Sequence, residues 1–425
     1  MTILLSNTSL KILKINDPIH GFVIFPHFIR HIVDSPQIQR LMRIRQLSGT
    51  NHVFPGANHT RFEHSLGVAA LAKRLLHNLV TYHRVDFSLE EVNTCLIAAL
   101  CHDVGHGPFS HNFESILLKY NNRDHEDYTR WIITESELGD IISDLGYDKK
   151  IIAEVATGQT IAQANPKSAL ISQIITSAVN VDSMDYLLRD NYHCGTEGRP
   201  VDINRLLLSI DVLNESTLGI DINALIALEG YLISRISSFR TIYFHKTCRA
   251  VQIMLAQAIQ NLVKENNILE YSHPDDYTQW DDYTLWTELL HSHSARPLMD
   301  SIQRRRLLKS CYESHIEISQ SNLNIPEIRE KLANSSDISK EDIYIDIPSS
   351  PNVPYNHINQ TRPNEIFTFK RDDSGEKIPV NLEDYSLFFN HFKGYLRLIR
   401  VYTWPKYRQK LSEICNSILG KPKLS

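Results

Sequence analysis

The chain is organised around residues 102–111, which carry three histidines and an aspartate. They read His-Asp-Val-Gly-His-Gly-Pro-Phe-Ser-His and follow an apolar, helix-forming run from Val92 to Cys101. The two glycines and the proline predict the end of that helix. Side chains adjacent on a helix point about 100° apart, so His102 and Asp103 can bind one cation only together with ligands from other elements. The motif therefore predicts a partner histidine upstream and a partner carboxylate downstream.

Both partners are found in helix-forming stretches. His64 lies in the alanine- and leucine-rich stretch 61–76, and Asp182 lies in the stretch 179–190. Two imidazoles and two carboxylates suit a divalent metal ion (Mn, Fe, Zn, Ni or Mg) with open positions for water and a phosphate oxygen. The alternative is that His102 and Asp103 only cap a helix end. The wider set disfavours it, because histidine and aspartate are rarely placed on apolar helices without a partner.

The chemistry expected of such a set is hydrolysis of a phosphate ester or anhydride. A bound cation would lower the pKa of its water molecule and neutralise charge on a phosphoryl oxygen. Arg61 lies one turn before His64 on the same side of the predicted helix, so it can reach a phosphate held there. Further histidines could donate protons, because imidazole titrates near neutral pH. These are His106, His111 and His125. Which of them is the general acid stays open, and a structural role is the alternative for His125.

Motifs in a fixed order give the chain a family resemblance. They are Ile15-Asn-Asp-Pro-Ile-His-Gly21, Gln39-Arg-Leu41, Arg45-Gln-Leu47, Val53-Phe-Pro-Gly-Ala57, Arg61-Phe-Glu-His-Ser-Leu-Gly67, the central motif, His125-Glu126, Val181-Asp182 and Tyr243. The chain resembles the HD-domain metal-dependent phosphohydrolases, and among them the deoxynucleoside triphosphate triphosphohydrolases of the animal SAM-and-HD-domain type and their bacterial relatives. The resemblance implies cleavage of a deoxynucleoside triphosphate to deoxynucleoside and inorganic triphosphate.

The same resemblance implies roles for individual residues. The positions that match the catalytic group of the family are His106, His111, Glu114 and His125. The positions that match its phosphate and deoxyribose contacts are Gln46, Leu47, Arg61, Tyr186, Asp190, Arg235 and Tyr243. In such a pocket the tyrosine at position 186 occupies the space that a ribose 2′-hydroxyl would need. Taken singly, Leu47 and Tyr186 also fit a purely structural role in the core.

Two positions depart from the animal pattern. Ser183 stands where that branch has a lysine on the triphosphate, and Phe244 stands where it has a glutamine. Loss of a cation near a highly charged anion weakens triphosphate binding. The preference for triphosphates is therefore less firmly implied than the hydrolytic chemistry.

The early part of the chain matches an allosteric nucleotide site of the animal enzymes. The matching residues are Lys14, Asn16, Asp34 and Gln39, whereas Met42 replaces an arginine. The resemblance therefore implies an activating nucleotide at a subunit interface and a homo-oligomer, either a dimer or a tetramer. The alternative is that these residues only fold the N-terminal segment.

Hydrophobic periodicity predicts the elements that must position these side chains. A short hairpin is expected within 10–26, one or two helices within 28–47, and mostly helix within 218–263. Further helices are expected over 61–83, 89–102, 111–121, 125–145 and 167–190. In the last of these, Asp182, Tyr186 and Asp190 share one face, which we expect to turn toward a pocket.

Beyond about residue 265 the sequence pattern changes from mainly helical to a mixture of helix-like and strand-like segments. Helical spacing returns around 302–312, strand-like pieces occupy 343–347, 366–369 and 394–403, and a final helix is expected over 407–419. We predict a mainly α protein, an HD-domain helical bundle with a smaller α+β C-terminal lobe. Residues 1–265 would form the HD phosphohydrolase domain with an extended N-terminal segment, and residues 266–425 would form the lobe.

The amino-acid composition indicates which partners the protein binds and in which cellular compartment it is found. The formal net charge of −5 over 425 residues gives no general attraction to nucleic acid. Six cysteines without a Cys-x-x-Cys pair indicate reduced thiols of a cytoplasmic protein. The apolar residues at the start are interrupted by polar ones, so we expect neither a signal peptide nor a membrane span. Two other functions stay open: a related phosphohydrolase acting on nucleoside monophosphates or other phosphoesters, and a regulatory module that only senses nucleotides.

Overall fold

An antiparallel hairpin precedes the helical part of the chain. The computed structural model describes residues 12–159, 165–196, 201–315, 324–348, 366–387 and 398–421. Strand β1 (Ile12–Asp17) pairs with β2 (Gly21–Pro26), so that Lys14 lies opposite Ile24 and Asn16 opposite Phe22. These four residues form the exposed face of the hairpin, whereas Asp17, at the end of β1, is buried.

Helices then continue to residue 194. Their bounds are α1 Ile29–Val33, α2 Pro36–Arg40, α3 Arg61–Thr81, α4 Leu89–Cys101, α5 His111–Asn121, α6 His125–Glu135, α7 Glu137–Asp144, α8 Lys149–Ala156, α9 Pro166–Thr176 and α10 Val181–Cys194. Capping boxes explain where three of them begin: Thr60 with Glu63 before α3, Ser88 with Glu91 before α4, and Asp124 with Asp127 before α6. The helices that carry the predicted ligands therefore have locally encoded start points.

The second half of the chain mixes helices with short strands. Its helices are α11 Ile203–Ser209, α12 Leu225–Ser238, α13 Lys246–Glu265, α14 Pro274–Thr278, α15 Asp282–His291, α16 Arg296–Gln303, α17 Ile325–Ser336 and α18 Arg408–Leu419, and a π-helical turn covers Phe239–Tyr243. Its strands are β3 Ile210–Asn214, β4 Thr217–Asp221, β5 Lys309–His315, β6 Tyr344–Asp346, β7 Thr368–Arg371, β8 Lys377–Val380 and β9 Leu398–Thr403. The sheet orders are β3-β4-β7-β8 and β5-β9-β6.

One large apolar core holds the helices that carry the site. Helices α3 and α4 pack against each other through small and branched side chains, among them Ala69, Ala72, Ile97 and Ala98, which are fully buried. Alanine lets the helix axes approach closely, so that ligands on neighbouring helices come within reach of one ion. A second, smaller core lies between α17, α18 and the sheet β5-β9-β6.

The structure is mainly helical with a smaller α+β C-terminal part, as predicted. Buried side chains between Leu269 and Leu308 belong to the large core, whereas the smaller core begins at Tyr312. The domain boundary between residues 265 and 266 stays a proposal. No helix in the described ranges is long and apolar enough to cross a lipid bilayer.

Several predicted elements are confirmed, and some are wrong in detail. The hairpin is present and α5 has the predicted bounds, but the single helix expected over 125–145 is two helices, because Ser136 caps α7 by accepting a hydrogen bond from the Leu138 amide. The helix expected over 167–190 is also two helices, since the chain turns at Ser177 and Asn180 caps α10.

Two further segments differ in type from the prediction. Helical spacing around 302–312 is wrong beyond Gln303, because residues 309–315 form β5 against β9. The start of 218–263 belongs to β4 instead of a helix. Residues 10–11 and 394–397, which were expected to be extended, lie outside the described residues.

Candidate active site

Four predicted ligands meet between three helices. Ligand atoms of His64 on α3 and of His102 and Asp103, directly after α4, lie within 4.8 Å of one another, and all three residues are buried. Asp182, in the first turn of α10, places Oδ1 3.0 Å from His64 Nε2 and 3.8 Å from His102 Nε2. The Asp182 side chain is 30% exposed, so the centre opens to solvent on the side of α10.

The hydrogen bonds of the two histidines leave one nitrogen of each for a cation. His64 Nδ1 lies 2.8 Å from Asp185 Oδ2, and His102 Nδ1 lies 2.9 Å from the Ala99 carbonyl oxygen. Because both partners accept, each Nδ1 carries the hydrogen and each Nε2 faces the centre. Within the described residues neither buried Nε2 makes a hydrogen bond of good geometry, although that of His64 lies 3.0 Å from Asp182 Oδ1. Orphaned nitrogens of this kind, facing two carboxylates, fit a divalent cation.

The electrostatics of the centre match that interpretation. Burial lowers the pKa of His64, but the neighbouring carboxylates of Asp182 and Asp185 raise it to about 10. Burial would raise the pKa of Asp103, yet the charges of Arg61 and the neighbouring histidines hold it well below its ordinary value. The centre thus concentrates negative charge that a proton or a metal ion must neutralise.

Arg61 forms an ion pair with the predicted metal ligand Asp103. Its Nη1 is 2.5 Å from Asp103 Oδ2, and its Nε donates to Ser110 Oγ at 2.9 Å. The guanidinium is therefore fixed beside the centre, with its charge close to any phosphate bound there.

The predicted catalytic group is also brought together. Glu114 Oε2 accepts from His111 Nδ1 at 2.8 Å, and Glu114 Oε1 accepts from His125 Nδ1. The ring of His125 stacks on that of His106 at 4.1 Å between centroids, and His106 Nε2 lies 3.5 Å from Asp103 Oδ1. His111 keeps 70% of its side chain exposed. A continuous row of imidazoles leads from the centre to the surface.

The two inner histidines of this row differ in charge. Burial lowers the pKa of His106 well below its ordinary value, and the charges of Arg61 and His125 lower it further. Burial also lowers the pKa of His125, but the Glu114 carboxylate outweighs this effect and raises the pKa to about 9. At neutral pH His125 is therefore protonated, whereas His106 is neutral.

Residues matched to deoxyribose contacts form a second group beside α10. The Tyr243 hydroxyl donates to Asp190 Oδ2, His59 Nε2 lies 2.8 Å from Asp190 Oδ1, and the rings of Tyr186 and Tyr243 meet edge to face at 6.3 Å. Leu47 packs into the same apolar cluster as Tyr243. The π-helical turn that presents Tyr243 is a form that recurs at functional sites.

Several buried polar atoms in this region make no hydrogen bond of good geometry within the described ranges. They are Gln46 Oε1, Tyr186 Oη, Tyr231 Oη, Arg235 Nε and His106 Nδ1. Arg235 Nη1 donates to the Ala178 carbonyl oxygen at 3.4 Å, which leaves the rest of its guanidinium to Asp182 and the tyrosines around it. Buried polar groups without partners indicate where a polar ligand would bind.

The loop in the second half of the central motif is held in a strained conformation. Phe109 and Ser110 have φ values of 54° and 50°, a region that non-glycine residues rarely adopt. Asp282 of α15 secures the loop, because its carboxylate accepts from the amides of Phe109 (2.7 Å) and Arg45 (3.0 Å). Gly105 lets α6 approach, since a Cβ there would lie 2.2 Å from the His125 carbonyl oxygen.

The residues matched to an allosteric site lie on β1, at the end of α1 and in α2. Lys14 and Asn16 are exposed on the hairpin, and Asp34 is exposed and paired with Arg30 at 3.0 Å. Gln39 Nε2 donates to the Val33 carbonyl oxygen at 2.8 Å. Their assignment to nucleotide binding stays a prediction.

Comparisons with known proteins agree with the geometry. A family model described as "HD domain" matches residues 61–190, which contain the four ligands, and one described as "HD associated region" matches residues 201–373. The chain therefore contains an HD domain followed by an HD-associated region. HD domains bind divalent metals, and the His64, His102 and Asp103 cluster is the corresponding set in this HD domain.

Named relatives extend the match over most of the chain. The deoxynucleoside triphosphate triphosphohydrolase SAMHD1 homolog of Dictyostelium discoideum is 29% identical over 87% of this chain and 75% of its own length. SAMHD1 of Gallus gallus is 28% identical over 87% of this chain and 69% of its own length. The uncharacterized protein YwfO of Bacillus subtilis is 35% identical over 57% of this chain, and the match spans only 54% of that relative.

A solved structure shares the whole architecture of this HD-domain protein. The crystal structure of a hypothetical protein from Aquifex aeolicus has a TM-score of 0.78 and 28% identity. The match covers 95% of this chain and 99% of that one. The C-terminal helices and small sheets therefore belong to a shared fold.

Sequence reasoning missed several residues of the site. Asp185 and His59 hold His64 and Asp190, and Tyr231 adds an unpartnered hydroxyl one turn before Arg235. Asp185 lies three residues after Asp182, a spacing that places both on one helix face. That spacing was the available signal, but it does not say which carboxylate faces the metal.

Proposed function

We propose that this HD domain hydrolyses deoxynucleoside triphosphates to deoxynucleoside and inorganic triphosphate. The observation that carries the proposal is the arrangement along α10, where Asp182 faces the histidine pair and Tyr186 and Asp190 follow at helical spacing. A phosphate chain on the metal centre would thus be followed by a sugar beside the two tyrosines. Relatives named as deoxynucleoside triphosphate triphosphohydrolases support the same substrate.

Different side chains of the site would have different roles toward a bound nucleotide. A bound divalent cation supplies a Lewis acid and an acidified water molecule. The positive charges of Arg61 and Arg235 stabilise the negative charge on the phosphate oxygens. His125, protonated because Glu114 raises its pKa to about 9, can protonate the leaving oxygen. Tyr186 and Tyr243 limit the room around C2′ and so favour a deoxyribose.

Product analysis tests the proposal directly. The purified chain is incubated with each of the four dNTPs and Mn²⁺, and ³¹P NMR follows the products. We expect the resonances of free triphosphate and none of monophosphate or pyrophosphate. His102→Ala removes a ligand and should abolish turnover, while His291→Ala, a change at an exposed histidine at the end of α15, should leave it unchanged. Release of pyrophosphate would contradict the proposed cleavage position.

Ser183 favours a second candidate function. Its hydroxyl replaces a cation expected near a triphosphate, which lowers the electrostatic advantage of triphosphates over monophosphates. The alternative is therefore hydrolysis of nucleoside monophosphates or other phosphoesters at the same centre. Parallel turnover of dNTP and dNMP panels separates the two functions, and a larger kcat/KM for a dNMP would favour the second.

We also propose how the enzyme is regulated and where in the cell it acts. An activating nucleotide would bind at a subunit interface near Lys14, Asn16, Asp34 and Gln39, and the active form would be a dimer or tetramer in the cytoplasm. Exposed apolar side chains beside Lys14 and Asn16, namely Phe22 and Ile24, support a contact with another subunit.

A further inference from the structure

Asp185 links the metal ligand His64 to the rest of the fold. Its Oδ2 accepts from His64 Nδ1 and from Arg189 Nε, both at 2.8 Å. Its Oδ1 accepts from His20 Nε2 at 2.6 Å and from Arg189 Nη2 at 2.9 Å. The side chains of Asp185 and Arg189 are fully buried and that of His20 is 6% exposed. Both oxygens of this carboxylate are therefore saturated, and its orientation is fixed.

The donor His20 comes from the N-terminal hairpin, far from α10 in sequence. Asp17 Oδ1 accepts from the amides of Ile19 (2.8 Å) and His20 (2.9 Å), which fixes the turn between β1 and β2. Asp17 Oδ2 accepts from Arg189 Nη1 at 2.9 Å. The hairpin thus holds Asp185 in two ways: directly through His20, and through Asp17 and Arg189.

The neighbouring helix leaves room for this network. Gly67 lies on α3 one turn after His64, and a Cβ there would lie 1.9 Å from Asp185 Oδ1 and 2.4 Å from Arg189 Nη2. Because these are rigid, buried partners, a side chain at this position would displace them. The glycine is therefore needed for the close approach of the ion pair to α3.

We propose that Asp17 and His20 of the hairpin are positioning residues for the metal ligand His64 and act on it through Asp185. The inference rests on the proposed metal-dependent function, but it concerns affinity for the ion and not the substrate. Groups that orient a ligating histidine commonly change metal affinity by about 10- to 100-fold. By linkage, a hairpin that strengthens metal binding is itself held more firmly when the metal is bound.

Mn²⁺ binding to the full chain tests the inference by calorimetry, without any substrate. His20→Ala removes the donor to Asp185 Oδ1, and we expect the Kd for Mn²⁺ to rise about tenfold. His20→Gln keeps a donor near the position of Nε2 and should restore most of the affinity. His31→Ala, at an exposed histidine of α1, is the matched control and should bind as the wild type does. Circular dichroism confirms that the variants are folded.

A second pair of variants probes the network from α3. Gly67→Ala should weaken Mn²⁺ binding, whereas Gly230→Ala on α12, where a Cβ meets nothing within 4 Å, should not. Folded His20→Ala protein with wild-type Mn²⁺ affinity would overturn the inference, as would equal losses in the glutamine and alanine variants. A chain that binds Mn²⁺ as expected but hydrolyses no dNTP would contradict the proposed function alone.

Discussion

Glu114 accepts hydrogen bonds from two histidines that differ in their surroundings. His111 is largely exposed, whereas His125 is stacked on His106 beside the metal centre. The raised pKa of His125, about 9, keeps the ring protonated at neutral pH. The protonated form is present below that pH and is lost as pH rises through about 9, so proton donation by His125 should fail on the alkaline side.

Replacement of Glu114 tests this assignment. In Glu114→Gln the charge that raises the pKa of His125 is gone, so the alkaline limb of the pH–rate profile should move to lower pH. At about pH 8 we expect kcat to fall about 100-fold, in the range of general acid catalysis. The profile is measured with a dNTP and saturating Mn²⁺. Glu135→Gln, at the exposed end of α6, is the control. An alkaline limb that does not move would exclude His125 as the donor.

The types of the site residues could be predicted, but not all of their partners. Metal and phosphate chemistry uses few side-chain types, so His64, His102, Asp103 and Asp182 stand out in apolar helices. Asp182 and Asp185 lie three residues apart and have the same chemistry. Only the packing of α10 against α3 decides that Asp182 faces the centre and that Asp185 holds the far side of His64.

At the scale of elements, α15 reaches back to the site. Asp282 accepts backbone hydrogen bonds from Phe109 and Arg45 and thereby joins the strained loop of the central motif to the segment before Gln46. Burial raises the pKa of Asp282 to about 6, against the effect of these donors. The unfolded value is about 3.9, so the folded state binds the proton more tightly.

This shift predicts a pH-dependent contribution to stability. Asp282 contributes most below about pH 4, and the contribution is lost as pH rises through about 6. The free energy of unfolding of Asp282→Asn, relative to wild type, should therefore increase by about 2 kcal/mol between about pH 4.5 and pH 7, which is most of the effect of a shift of about two pKa units. Urea unfolding at the two pH values measures the difference. Asp300→Asn, at a surface ion pair, is the control. A difference that is constant with pH would contradict the assignment.

The sequence predicts the type of an element correctly where its hydrophobic periodicity is strong. The prediction is wrong where a capping side chain ends a helix or where a strand pairs with a distant segment. The helices over 61–81, 89–101 and 111–121 match strongly periodic stretches. The breaks at Ser136 and at Asn180 depend on single side chains that accept backbone hydrogen bonds, and such residues also occur inside helices. Strand β5 forms because β9 pairs with it from far along the chain, which local spacing cannot show.

At the scale of the whole molecule, the hairpin presents a mixed polar and apolar face. Lys14, Asn16, Phe22 and Ile24 are exposed together on one side of β1 and β2. The opposite end of the hairpin, at Asp17 and His20, contacts the network behind His64. A ligand or subunit bound to the exposed face would thus act on an element that also contacts the metal centre.

Nucleotide-dependent assembly is the corresponding prediction. We expect GTP or dGTP to shift the chain to a dimer or tetramer in size-exclusion chromatography with light scattering, and to increase dNTP turnover. Lys14→Ala should weaken both effects, because a lysine at this position can bind phosphate. Lys370→Ala, at an exposed lysine of β7, is the control. If neither nucleotide changes the elution volume or the turnover, the predicted activation by a nucleotide is wrong.

We predict that His64, His102, Asp103 and Asp182 together bind one divalent cation. Mn²⁺ titration of the metal-free chain, followed by electron paramagnetic resonance, tests it most directly. We predict one tightly bound Mn²⁺ per chain, and at least a 100-fold loss of affinity in Asp182→Ala as well as in His102→Ala. Wild-type affinity in Asp182→Ala, or a stoichiometry of zero for the unaltered chain, would contradict the claim.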